Sequence, residues 1–343
     1  MRAAVAKGPG VIEVQDVPEP QAGPDQVKVK IAYCGICGSE LHQFDPIYQN
    51  HPPQFKPGPG PARPGPRIMG HEASGVISAV GSDIKKYKVG QRVAMNFRSY
   101  CGACYYCRNK LEHFCENVFP ASGGYAEYAI YKESAIYALP DNISLEEGAL
   151  LEPLSVAVHT VDLSNIRPGS TLAILGGGPI GALILEVAQK AGASRILVSE
   201  PNKERRELNK QLGAHVVVDP LHEDLMAVSM KLTDGRGFDT VIEASGKLAV
   251  AKQTFSLADN GGTVVWAAMY PVGDEVGVIP SDLYIKELTL RSVFVSPYSF
   301  PRSLNMIPEL NLKPLISIMP IADITKGFQA LLKGQGMKIL IKP

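Results

Sequence analysis

Charge of one sign is the first thing this chain lacks. Its 34 basic and 34 acidic side chains cancel, so no field is built in for nucleic acid or for acidic ligands. Long apolar runs are missing too. Stretches such as Thr171–Leu175 and Ala182–Ala188 are broken by glycine or charge, far short of the roughly 20 residues that cross a bilayer. The opening Met1-Arg2-Ala3-Ala4-Val5 leads straight into charged, strand-like sequence with no apolar segment or small-residue cleavage site, and a cytoplasmic protein is the expectation. Cysteine is scarce and unevenly placed: all six lie between positions 34 and 115, four in one cluster. A secreted disulfide framework is not distributed that way, which leaves metal binding in a reducing compartment.

What is present fits an ordinary globular protein, with 45% hydrophobic and 20% charged residues. At 343 residues the chain exceeds one ordinary core, so two domains are expected. Residues 1–45 alternate like strands, as in Val27-Lys28-Val29-Lys30-Ile31. From Pro46 to Pro66, eight prolines and three glycines exclude helix and sheet ladder and predict a loop. Short β-like runs return at Ser74–Val80, Gln91–Met95 and Tyr125–Ile130. Near Gly169 the rhythm becomes strand, glycine turn, helix: Ser170–Leu175, Ile180–Ala191, Arg195–Ser199, Lys203–Leu212. That alternation predicts α/β structure with a parallel sheet covered by helices.

Cys101, Cys104, Cys107 and Cys115 form C-x2-C-x2-C-x7-C, a spacing that closes a tetrahedron of thiolates around one structural Zn²⁺. An iron–sulfur cluster is the rival, but Cys115 is followed by Glu116 rather than proline. Four buried free thiols are the plain alternative. A dinucleotide fingerprint, G-x-G-x-x-G, reads as Gly176, Gly178 and Gly181, with Pro179 and Ile180 between, after an apolar strand and at a helix start. Gly176 allows the tight turn, Gly178 the approach of a diphosphate, and Gly181 the contact of helix with strand; a non-binding glycine turn is the other reading. Glu200 follows the second strand at the spacing of an acid that holds a ribose hydroxyl. It favours NAD over NADP. Arg205 is a further cofactor candidate, although it and Lys203 also read as solvated helix residues.

Three further segments, Cys37-Gly38-Ser39-Glu40-Leu41-His42, Gly70-His71-Glu72 and Glu152-Pro153-Leu154, resemble the catalytic zinc motifs of the medium-chain dehydrogenase/reductase family. The resemblance is greatest to its sorbitol (polyol) and butanediol dehydrogenases and covers nearly the whole chain. It implies a GroES-like β-barrel catalytic domain from residues 1–150 and 290–343, and a Rossmann NAD-binding domain over 151–289. It also implies a catalytic Zn²⁺ held by Cys37, His71 and either Glu72 or Glu152, with a fourth place for water or substrate. Ser39 and His42 are implied as the relay that carries the substrate's proton to water, though His42 also reads as a surface histidine. Cys34 reads as a buried free thiol.

The resemblance further implies a homodimer or homotetramer, paired through the last Rossmann strand. The expected reaction is oxidation of a secondary alcohol on a polyol, diol, cyclitol or sugar-alcohol derivative. Threonine-type amino alcohols or an acetoin/butanediol pair are the alternatives within chemistry, and an inactive NAD-binding regulator is the alternative outside it. Departures bear on substrate. Glu40 stands where the family has aspartate, Gln43 where sorbitol dehydrogenases have tyrosine, and Val295-Ser296 where they have arginine-tyrosine. The last two remove polyol-binding groups and argue against sorbitol itself.

Overall fold

A computed structural model describes residues 1–45 and 66–343. The loop expected over 46–66 therefore lies, but for Pro66, outside the described residues. The chain divides into two units, residues 1–152 with 300–343, and residues 153–299.

The first unit is built on a sheet in the order Ile316–Pro320, Lys338–Lys342, Gln26–Gly35, Glu72–Val80, Arg92–Met95, Ile136–Ala138, with Tyr128–Lys132 also pairing Gln26–Gly35. Alternation decides which face is inside. Val27, Val29 and Ile31 are buried while Lys28 and Lys30 between them are not, as the period of two in a strand requires. Their partners in the core include Ile77, Tyr125, Tyr131 and Phe328. The C-terminal strand Lys338–Lys342 adds to Gln26–Gly35, pairing Leu340 with Gly35 and Ile341 with Cys34. That pairing brings the end of the chain beside the segment that precedes Cys37.

The second unit is a six-stranded sheet, every neighbouring pair parallel. In order across the sheet the strands are Val216–Val218, Arg195–Ser199, Thr171–Leu175, Phe238–Glu243, Ala258–Trp266 and Thr289–Ser292. Numbered along the chain, that order is 3-2-1-4-5-6, a doubly wound sheet whose direction of winding reverses between the first and fourth strands. Thr171–Leu175 is buried throughout, as a central parallel strand covered on both faces must be. Helix Pro179–Lys190 packs here with every residue from Gly181 to Ala188 buried. Each Leu or Ile buried there contributes roughly 1.5–3 kcal/mol. Because Thr289–Ser292 is the sixth strand, the return to the first unit comes at Phe300 rather than at residue 290.

Candidate metal centre and dinucleotide turn

Cys37 caps the N-terminus of helix Gly38–Phe44. Its carbonyl accepts from the backbone N–H groups of Glu40 (3.1 Å) and Leu41 (3.2 Å), and its own N–H donates back to the Glu40 carboxylate (3.2 Å). Glu40 does more than cap. Only 3% exposed, it accepts from the Gly70 N–H (2.7 Å) and from the Tyr125 hydroxyl, and one of its oxygens lies 3.1 Å from Nδ1 of His71. A carboxylate on one ring nitrogen orients the other toward a metal, so Nε2 is the nitrogen left to His71. Burial works against the charged imidazole, but the Glu40 carboxylate and the Cys37 sulfur outweigh it and hold His71 well above the usual histidine range. The attraction that raises a proton's affinity here acts equally on a metal cation.

Glu72 opens strand Glu72–Val80, opposite Gly35. Lys338 Nζ lies 2.7 Å from each of its carboxylate oxygens and donates its remaining hydrogen to the Ile36 carbonyl (3.1 Å). Both residues are buried, and the ammonium has all three donors used. Ligand atoms of Cys37, His71 and Glu72 fall within 4.8 Å of one another. One sulfur, one ring nitrogen and one carboxylate form a donor set that suits Zn²⁺ with a fourth position open. Glu152, in the first turn of helix Leu151–Leu163, is outside that trio. Burial, opposed by His71 and assisted by Glu72, pushes its carboxyl up to about 7. Ser39 and His42 are three residues apart on helix Gly38–Phe44, both half-buried, and so share a helix face.

The sulfurs of Cys101, Cys104, Cys107 and Cys115 form a second group within 4.8 Å. Helix Tyr105–Arg108 and a single 3₁₀ turn, Glu112–Phe114, carry the chain around them. The N–H groups of Ala103 (3.5 Å) and Cys104 (3.3 Å) donate to the Cys101 sulfur and lower its thiol to about 6, whereas burial and the neighbouring Cys104 thiol push Cys107 up to about 12. Four thiolates so close repel one another, and a divalent cation is what allows all of them to ionise together.

In the doubly wound unit, Gly176 has φ of 110°, and a Cβ added to Gly181 would lie 1.9 Å from the Gly176 carbonyl oxygen. Gly178 differs: the nearest neighbour to a Cβ there is the tip of Arg205, at 3.6 Å. The space over Gly178, at the N-cap of helix Pro179–Lys190, is thus left for something outside the chain, and a diphosphate fits a helix N-terminus of this kind. Glu200, at the end of the second strand, accepts from the Gly177 N–H (2.9 Å) and the Asn202 N–H (2.9 Å). Asn209, fully buried, donates to the Gly177 carbonyl (2.8 Å) and pins the same turn. Lys203 is exposed beside Glu207, whereas Arg205 lies over Gly178.

Sequence reasoning assigned no role to Glu40 beyond its added methylene, and none to Lys338 or Asn209. The signal for Lys338 is a lysine inside Met337-Lys338-Ile339-Leu340-Ile341, since a cation in a buried strand demands an anion. Of the departures from the sorbitol pattern, Gln43 accepts from Arg67. Val295 has φ of 57°, and Ser296 is buried and accepts from the Ser155 hydroxyl (2.8 Å).

Known proteins carry the same two parts. Residues 23–141 match the family model of the alcohol dehydrogenase GroES-like domain, and residues 179–309 that of zinc-binding dehydrogenases. The chain is 33% identical to (R,R)-butanediol dehydrogenase of Bacillus subtilis (strain 168) over 100% of both proteins. It is 35% identical to L-threonine 3-dehydrogenase of Pyrococcus abyssi over 92% of this chain and 89% of that one. Among solved structures, one described as a zinc-binding dehydrogenase from Sinorhizobium meliloti 1021 bound to NADP has a TM-score of 0.89 at 30% identity, covering 100% of this chain and 99% of that one. The first unit is therefore GroES-like and the second, all-parallel unit Rossmann-like. With both folds, both family matches and full-length relatives in agreement, the chain belongs to the zinc-dependent medium-chain alcohol dehydrogenases, oxidoreductases that use a nicotinamide dinucleotide.

Proposed function

We propose that this protein oxidises a secondary hydroxyl on a small diol, polyol, cyclitol or sugar-alcohol derivative to a ketone, with NAD as hydride acceptor. The observation that carries the reading is the convergence of Cys37, His71 and Glu72, from three separate segments, with ligand atoms within 4.8 Å. An inactive regulator has no need of that trio. Bound there, Zn²⁺ supplies Lewis-acid polarisation of a hydroxyl, while the dinucleotide supplies the hydride acceptor.

The chain's own residues do the rest. Glu40 orients His71 and fixes its tautomer. Lys338 locks the Glu72 carboxylate and offsets part of its charge. Glu72 is the third ligand in this scheme, and Glu152 is a nearby carboxyl whose burial lets it hold a proton near neutrality. Ser39 and His42 pass the hydroxyl proton outward along one helix face. Cys101, Cys104, Cys107 and Cys115 hold a second, structural Zn²⁺ that fastens their loop.

Gly176, Gly178, Pro179, Ile180 and Gly181 seat the diphosphate. Glu200 is buried beside the turn and disfavours a 2′-phosphate by charge, with Arg205 facing the diphosphate. Strand Thr289–Ser292 ends its sheet, and Tyr284, Ile285 and Leu290 near it are exposed; pairing of this edge with a second copy is the proposed route to a dimer or tetramer. Six thiols without a disulfide suit a reducing, cytoplasmic setting.

The test is NAD⁺ reduction over diols, polyols, sugar phosphates and amino alcohols, with zinc assayed on the same sample. Turnover on a diol or polyol, lost on chelation, supports the reading. Turnover confined to amino alcohols would move the substrate class toward that of the Pyrococcus relative. Zinc-loaded protein that reduces no NAD⁺ with any of them contradicts it.

A further inference from the structure

Glu243 ends the fourth strand of the parallel sheet and is fully buried. In register it stands between Leu175, which precedes Gly176, and Trp266. Its carboxylate accepts from the backbone N–H of Ser245 (2.7 Å), from that of Gly246 (3.0 and 3.3 Å to the two oxygens), and from the hydroxyls of Ser245 and Tyr270. Among the described residues no cation pairs with it. Both oxygens accept and every partner donates, which a carboxylate satisfies and a glutamine amide, with one oxygen, does not; with no cation opposite, the buried carboxylate is also left uncompensated.

The turn it braces adjoins the dinucleotide turn. The Ala244 N–H donates to the Leu175 carbonyl (2.8 Å), and a Cβ on Gly176 would lie 2.8 Å from the Ser245 nitrogen. In a doubly wound sheet the dinucleotide lies across the C-terminal ends of the strands, with its diphosphate at the first helix. Glu200 directly follows the second strand, on the side assigned above to a ribose hydroxyl. By that rule the other half of a bound dinucleotide would lie on the fourth strand's side, where Glu243 sits.

The geometry points to Glu243 as an electrostatic bias on the cofactor: a carboxylate at this place favours the oxidised nicotinamide, a cation, over the neutral reduced ring. The inference rests on the dinucleotide reading above and concerns Coulomb attraction to one redox form only.

Trp266 is the chain's one tryptophan and lies 5.8 Å, ring to ring, from Tyr270, and titration of its fluorescence is one readout of binding, with calorimetry as the second. Dissociation constants for NAD⁺ and NADH are measured on the unaltered protein, Glu243→Gln, Glu243→Asp and Tyr270→Phe. Glu243→Gln is expected to weaken NAD⁺ about five- to tenfold and NADH less than about twofold, while Glu243→Asp keeps the preference. Tyr270→Phe leaves the carboxylate less neutralised and is expected to strengthen the NAD⁺ preference about twofold, a result that does not depend on the Gln variant folding. A turn that is only structural would loosen both cofactors alike. Equal weakening of NAD⁺ and NADH by Glu243→Gln, or an NAD⁺ preference that Tyr270→Phe lowers or leaves unchanged, overturns the inference alone. Binding of neither form to the unaltered protein overturns the dinucleotide reading as well.

Discussion

Lys338 and Glu72, 266 residues apart in the chain, form a buried ion pair in which one ammonium lies 2.7 Å from both oxygens of one carboxylate. Removing one partner of such a pair leaves the other charged and uncompensated, at a cost of about 3–5 kcal/mol. Lys338→Met is expected to lose stability in that range in metal-free protein, and less when zinc is bound, because the ion then neutralises Glu72. Denaturant unfolding with and without zinc measures the difference; equal losses in both states contradict a metal at Glu72.

The proton path is tested at Ser39. Ser39→Ala is expected to lower turnover by about a hundredfold or more, with zinc content and dinucleotide affinity unchanged. Steady-state kinetics beside metal analysis decides the matter, and unaltered turnover removes Ser39 from the relay.

How much of this was legible beforehand depended on how local each signal was. The parallel sheet showed in the alternation from Thr171 onward because strand, turn and helix each occupy contiguous residues. The four-cysteine group showed because cysteine is sparse enough for its spacing to carry information, whereas Cys37, His71 and Glu72 stood out only through the resemblance of their segments to family motifs. Glu40 was visible only as an odd glutamate, since its partners His71 and Tyr125 reach it through the fold. Lys338 was hidden for the same reason: a buried charge is identified by what faces it, and strand pairing brings Glu72 to it from a distant segment.

The glycines of the dinucleotide turn should separate stability from binding. Gly181→Ala puts a methyl 1.9 Å from a backbone oxygen and is expected to cost about 1–3 kcal/mol or more. Gly178→Ala meets nothing closer than 3.6 Å and should change stability by less than about 1 kcal/mol, yet weaken NAD binding at least about tenfold by blocking the diphosphate. Thermal unfolding and Trp266 fluorescence titration test the pair. Unchanged affinity in Gly178→Ala contradicts the placement of the diphosphate.

For the four-cysteine group, Cys104→Ser is expected to lose one zinc and to lower the unfolding temperature, while the remaining zinc and the specific activity of the folded fraction stay near normal. Loss of both ions together would mean that the two sites are not independent.

The central claim is that Cys37, His71 and Glu72 grip the ion on which turnover depends. Zinc per chain and NAD⁺ reduction, measured together on unaltered protein and on Cys37→Ser, address it most directly. The expected result is about two zinc ions falling to about one, one for each ligand group, with turnover lost and the fold retained. Full zinc occupancy in Cys37→Ser, or undiminished turnover after its loss, would contradict the account.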